Sequence, residues 1–381
     1  MFDLFNKGEE KKVEYIELIY DLIFVYIIGK NNILLHTMQN GFIAPSALLT
    51  YILTAIIILQ VWYSNVIFIN KYGSNGLQEN IAIFINMYLL YYMADGVRND
   101  WQEYYMRFSV AWALILANQL VQYLIKYKKV GALMPAAKRQ IMRNVSVLAV
   151  QIVIIAASLP VFKLTGVALS PLAMIVGIIL VSLSGKSNEL VEGDFAHLTE
   201  RVMLYVVFTF GEMIIAIATY FEGGFSPRSV YFSACAFLIV AGLFLSYGFV
   251  YDNVINREMQ TSGTGYMLLH VFMITALNFT TAALKFMRAE EVAAVPKNIF
   301  IVASIATYFI FLFLTEKYAI ARCRGSKQFF AVIISISALF AALMALLYQN
   351  AFLSIAVTVV YIYSVFLYLY INVKKVKKAA E

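Results

Sequence analysis

The feature that most constrains this chain is a run of about twenty apolar residues that recurs along its whole length, interrupted only by short polar segments. About twenty residues of helix cross a hydrocarbon core. In lipid every backbone N–H and C=O must be paired within the segment, so such a run has to be helical. Twelve blocks are read, at 14–36, 44–69, 77–97, 103–126, 142–162, 166–185, 200–222, 229–252, 263–287, 297–317, 328–348 and 351–373. The fold expected is therefore all-α, a polytopic transmembrane bundle of about twelve helices. Composition agrees: 62% of the 381 residues are hydrophobic and 13% are charged, against about a quarter charged in a soluble domain. Pro45, Pro171 and Pro296 fall near helix starts, where a missing N–H costs little, and Pro160 falls near the end of the fifth block. Gly223, Gly224, Ser226 and Pro227 mark the turn after the seventh.

The net charge of +7 calls for no nucleic-acid partner, because the basic residues sit in the short segments between apolar blocks. With a cytoplasmic N-terminus, 21 of the 29 Lys and Arg lie inside, including the clusters at 126–143, 317–327 and 374–378. That bias places both termini in the cytoplasm. The polar start, with Lys7, Glu9, Glu10, Lys11 and Lys12, has no cleavable-signal character, so the first run is read as the first membrane helix. Cys235 lies mid-helix and Cys323 in a basic loop, a pairing that suits no disulfide.

Acids inside these runs point to function. Asp21 lies within the first helix and Glu212 within the seventh. A charge at the centre of a membrane helix costs roughly 2.5–3.5 kcal/mol on insertion scales, so it must be used or paired. Glu17 and Asp21 are four apart and share a face, as do Arg201, Tyr205, Phe208 and Glu212. In the ninth helix His270, Ile274, Asn278 and Thr281 form a stripe, and in the third Glu79, Asn86 and Met93 do. At about 1.5 Å per residue, Asp21 and His270 both lie about 10 Å from the cytoplasmic side and Glu212 about 18 Å. Arg201 is shallower and within reach of Glu17 or Asp21. Asp21, Glu212, His270, Glu17 and Arg201 are the candidates for a proton relay or substrate site, with Lys30, Asn86, Asn278, His197 and Tyr20 as supporting polar positions. Glu212, the deepest, is expected to be the coupling acid and Glu17 an interfacial ion-pair partner. Asp194, His197 and Glu200 recur every three residues, but one histidine beside Arg201 suits an ion-pair network better than a metal. Most of the aromatics are expected to form a membrane-interface belt.

Two segments look alike. Glu17 to Gly29 and Glu200 to Gly211 each open on Glu at the cytoplasmic edge, run through aromatics and reach Gly about a dozen residues later. The similarity suggests two six-helix halves, 1–187 and 188–381, repeated in parallel about an axis along the membrane normal. The string Glu17-Leu18-Ile19-Tyr20-Asp21-Leu22-Ile23-Phe24-Val25-Tyr26 resembles the opening signature of the low-temperature requirement protein A family. So do His197 to Arg201 followed by Phe210-Gly211-Glu212, and the stretch Trp62 to Asn70. The resemblance covers most of the chain and implies a bacterial cytoplasmic-membrane protein of this helix count. It supplies little chemistry. Lys30 stands where Arg or Gln is common in the family, and Asn118 and Gln119 stand where a basic residue is often found.

No Walker loop, dinucleotide fingerprint, nucleophile elbow or paired-histidine zinc motif occurs. No cofactor is expected, and the partners expected are the lipid bilayer and a small solute or proton. The leading expectation is a proton-coupled secondary transporter with its site between the two halves. A cation-conducting channel and a membrane-embedded enzyme or lipid-handling protein are the alternatives.

Overall fold

The structure, a computed structural model, describes residues 12–97, 101–130, 135–184, 193–221 and 224–378. Lys7, Glu9, Glu10, Lys11, Lys186 and Gly223 lie outside these. Twelve α-helices follow one another: α1 (Tyr15–Asn32), α2 (Pro45–Tyr72), α3 (Leu77–Asp95), α4 (Trp101–Lys129), α5 (Pro135–Thr165), α6 (Pro171–Ser184), α7 (Phe195–Ala218), α8 (Pro227–Asn253), α9 (Thr264–Arg288), α10 (Ala294–Leu314), α11 (Lys327–Leu347) and α12 (Ala351–Lys378). By length and composition, ten of the described helices can cross a membrane. Of the twelve, α3 and α6 do not reach that measure. α6 begins at Pro171 rather than near 166, because Gly166 takes a left-handed φ of 73° and ends α5. Pro160 lies inside α5, which continues to Thr165 instead of stopping near 162.

The chain divides into two compact units. Unit 1 holds residues 1–37 and 43–201, and unit 2 holds residues 38–42 and 202–381. α7 thus contributes its first two turns to unit 1 and the rest to unit 2.

In unit 1, α1 packs on α2 and α3, α4 on α3 and α5, and α2 and α5 both on α6. The tyrosine hydroxyl of Tyr105 on α4 donates to Ser158 Oγ (3.0 Å) and accepts from the Ser170 N–H (2.8 Å), tying α4 to α5 and to the start of α6. Gly177 lets α6 approach α5: a Cβ there would run into the Gln151 side chain, which donates to the Ala173 carbonyl at 3.1 Å. Ile81, Phe84, Ile85 and Tyr88 of α3 are exposed, as residues facing lipid would be.

In unit 2, α9 is the most enclosed span, with 67% of its apolar window buried, and α11 the least, with 17%. α9 packs on α10, and α12 on α8 and α11. Tyr308 of α10 donates to the Leu243 carbonyl of α8 at 2.8 Å. Ser226 caps α8 by accepting from the Ser229 N–H at 3.1 Å, and Pro227 follows at the first helical position. A two-residue hairpin at Met38–Gln39 and Phe42–Ile43 is the main departure from all-helical structure. Its turn residues Asn40 (φ 52°) and Gly41 (φ 79°) are both left-handed, the geometry that favours an Asn-Gly pair. Cys235 and Cys323 are both buried and free.

Candidate ion-pair site

Helical spacing builds the site from two facing pairs. On α1, Glu17 and Asp21 are one turn apart on the buried face that also carries Tyr20, Phe24, Ile27 and Asn31. On α7, His197 and Arg201 are likewise one turn apart. α7 starts at Phe195 because Asp194 caps it: its Oδ1 accepts the His197 N–H at 3.0 Å. The cap sets where the helix begins, and so sets which α7 residues meet α1.

Arg201 is fully buried and lies between the two carboxylates. Its Nε donates to Asp21 Oδ2 (3.0 Å) and its Nη2 to Asp21 Oδ1 (2.6 Å), a bidentate grip, while its Nη1 donates to Glu17 Oε2. Trp62 of α2 donates its indole N–H to Asp21 Oδ1 at 2.9 Å. His197 Nε2 lies 3.4 Å from Glu17 Oε2. Asn70 Nδ2 donates to the Asp194 carbonyl (2.7 Å) and approaches His197 Nδ1 (3.1 Å). With an amide N–H pointing at Nδ1, the ring proton of a neutral His197 belongs on Nε2, facing Glu17. Asp194 and Asn70 are thus used in holding α7 and His197, which is how the 194–200 segment is occupied.

The charges can be counted. Glu17 and Asp21 are 1% and 0% exposed, and Arg201 and His197 are 0% and 1%. Among these four described side chains, two carboxylates and one guanidinium sum to −1 when His197 is neutral. One more positive charge makes the cluster neutral. A charge this far from water carries a heavy desolvation cost unless it is compensated.

Polar groups extend from the cluster into unit 1. The Tyr20 hydroxyl faces the Asn86 amide of α3. Asn118 of α4 donates to Asn86 Oδ1 (2.7 Å) and to the Ala82 carbonyl (2.8 Å). Among the described residues, buried polar atoms of Gln60, Asn65, Gln119 and Gln122, on α2 and α4, have no hydrogen-bond partner. Carboxamides left this way are ones that water or a polar solute satisfies.

Glu17, Tyr20, Asp21, Asn86, His197 and Arg201, six of the residues singled out in the sequence, therefore come together in unit 1. Glu17 is an ion-pair partner, of Arg201, and it is buried within the cluster. Lys30 is exposed on α1, its ammonium 5.6 Å from the Tyr26 ring centre. Glu212, His270 and Asn278 belong to unit 2. Glu212 is half-buried instead of deeply enclosed, and it faces Lys285 of α9. His270 is buried among tyrosines, its ring 4.2 Å from that of Tyr266 and 5.8 Å from that of Tyr247. Its Nδ1 lies 2.8 Å from the Tyr266 carbonyl and so carries a proton, which leaves Nε2 buried without a protein partner. Trp62 was missed as a site residue. Its signal is depth: ten residues from the end of α2 is about 15 Å, too far in for an interface aromatic.

Ten apolar spans and a fully enclosed ion-pair cluster define a polytopic helical membrane protein. The family model for the bacterial low temperature requirement A protein (LtrA) matches residues 12–366, and the chain belongs to that family. No curated protein matches the chain.

Proposed function

We propose that this protein is a secondary transporter that couples proton movement to the passage of a small solute or ion, with the Glu17–Asp21–Arg201–His197 cluster as the coupling centre. The observation that carries the reading is geometric: one fully buried guanidinium, Arg201, donates to two buried carboxylates, Glu17 and Asp21, with His197 at 3.4 Å from Glu17. Asp21 receives three N–H donors, from Nε and Nη2 of Arg201 and from Trp62, so it serves as the fixed counter-ion. Glu17 and His197 share the remaining place, and a proton or other cation entering there brings the cluster to neutrality. Its arrival weakens the hold of Glu17 on Arg201 and so frees the first turns of α7 from α1. The unsatisfied buried carboxamides of α2 and α4 add polar groups to the interior of unit 1 that a solely structural ion pair would not need. The polar groups facing the cluster are Glu17, Tyr20 and Asp21 from α1, Trp62 and Asn70 from α2, Asn86 from α3, and His197 and Arg201 from α7.

Trp62 is a built-in reporter because its indole N–H bonds Asp21. With Trp101 and Trp112 replaced by Phe, its emission in purified protein should respond to pH, and Glu17→Gln should abolish the response. The same variant in proteoliposomes should stop solute-dependent proton movement, followed with an internal pH dye over a solute panel. An emission that is flat with pH in the parent protein would leave the cluster as a static anchor for α7 and end the coupling reading.

A further inference from the structure

A second polar site lies wholly within unit 2, at the end where α7 finishes and α8 begins. A cavity of about 580 Å³ is lined there by Tyr220, Arg228, Ser229, Lys285, Arg288 and Glu291, among others. Three of its lining side chains are cations. Two are acids, Glu290 and Glu291, both exposed. Glu290 pairs with Arg228, whose Nη2 also donates to the Arg288 carbonyl at 3.0 Å. Arg228 is held in place by two rings, with Phe232 and Phe352 at 5.8 and 5.9 Å from the guanidinium. Arg288 lies over the Tyr220 ring at 5.2 Å, and the Tyr220 hydroxyl is buried without a protein partner. Lys285 lines the cavity and is also the cation that faces Glu212.

We infer that this cavity binds an oxyanion, a phosphate-class group, between Lys285 and Arg288. Among the described residues, Arg228 has its carboxylate in Glu290, and Lys285 has only the half-buried Glu212 facing it. Arg288 has an aromatic face and, among the described residues, no carboxylate in ion-pair contact. Contact with the Tyr220 ring restrains the guanidinium, so less rotamer freedom is lost when it meets an oxyanion. The α8 N-terminus beside it adds a favourable backbone dipole. A cation would instead meet three basic side chains. The inference rests on unit 2 alone and stands or falls apart from the coupling proposal. The oxyanion can come from a soluble solute or from the headgroup of an anionic phospholipid.

Thermal unfolding separates these sources. The full chain in neutral detergent is titrated with inorganic phosphate against sodium chloride at matched ionic strength. In parallel it is reconstituted in phosphatidylcholine vesicles with and without phosphatidylglycerol. Phosphate stabilisation beyond the chloride control is expected, with the half-effect concentration raised about tenfold in Arg288→Gln, the size of one lost charge-assisted hydrogen bond. Lys285→Gln is the second variant and should weaken it similarly, while Lys163→Gln in unit 1 should not. Stabilisation by phosphatidylglycerol alone, lost in the same two variants, would also support the site and would name the lipid as its source. Stabilisation by neither probe, or equal stabilisation of the parent and both variants, overturns the inference.

Discussion

Replacing Arg201 by Gln tests the ion-pair site most directly. The guanidinium makes three N–H contacts to two carboxylates, and none of the three side chains is more than 1% exposed. Removing one partner of a buried pair costs about 3–5 kcal/mol, because the remaining charge stays out of water. Here two carboxylates are left facing each other, so the upper part of that range applies. Such a loss is roughly two to four powers of ten in the folded population. Part of it is recovered in a bilayer, where unfolded helices also find polar partners. The controls sharpen the reasoning. Arg201→Lys keeps the charge but loses the bidentate fork, an expected cost of about 1–3 kcal/mol. Glu17→Gln leaves one carboxylate for one guanidinium and should stay within about 1 kcal/mol of the parent. The assay is denaturant or thermal unfolding in a single detergent, followed by tryptophan emission and by monodisperse elution. The order of loss expected is Arg201→Gln, then Arg201→Lys, then Glu17→Gln. If Glu17→Gln destabilises as much as Arg201→Gln, the cluster does not carry the excess negative charge argued here.

Three further outcomes are expected. Trp62→Phe should lower stability by about 1.5–3 kcal/mol, the worth of a hydrogen bond to a charged group, in the same unfolding assay. Gly242→Leu should cost about 1–3 kcal/mol by overpacking, because a Cβ on α8 already meets Ile362 Cγ2 of α12 at 2.7 Å; unfolding midpoints that match the parent would refute the close approach. Fusion of a reporter active only in the cytoplasm to either terminus should give signal, as the Lys and Arg bias requires, and a silent C-terminal fusion would reverse the orientation.

The spans were legible because lipid enforces them: a run of twenty apolar residues has one solution, and the helix count follows. Boundaries were less so. Whether Pro160 ends α5 or sits inside it depends on packing against α4 and α6, and an isolated proline does not reveal that. The pairing of Glu17 and Asp21 with Arg201 was legible from spacing and depth, since acids one turn apart need a cation and Arg201 was at a compatible level. The partners Trp62 and Asn70 were not, because they come from α2, and nothing local to α1 or α7 names them. Glu212 was overrated for a related reason. Depth along a helix says how far a residue is from the headgroups, and nothing about which side of the helix it is on or whether a lysine such as Lys285 waits on a neighbouring helix. The Asn40-Gly41 hairpin was readable from its dipeptide alone, but it is overshadowed in a chain dominated by helical runs.

The placement of Arg201 in the chain gives the proposed coupling its mechanical sense. Arg201 is the last residue of unit 1 and Val202, the next residue on the same continuous helix, belongs to unit 2. The first turns of α7 are tied within unit 1 by Asn70, which bonds the Asp194 carbonyl and approaches His197, by His197 beside Glu17, and by the ion pairs of Arg201 with Glu17 and Asp21. Of these, the ion pair of Glu17 with Arg201 weakens when a proton or cation settles on Glu17. Neutralising Glu17 removes one of the two carboxylates that hold Arg201 and leaves the Asp21 fork intact, so α7 is loosened without being released. A small change in charge is thereby applied at the point where one unit hands the chain to the other. A single arginine shared by two acids suits graded loosening, whereas a one-to-one pair would be either made or broken.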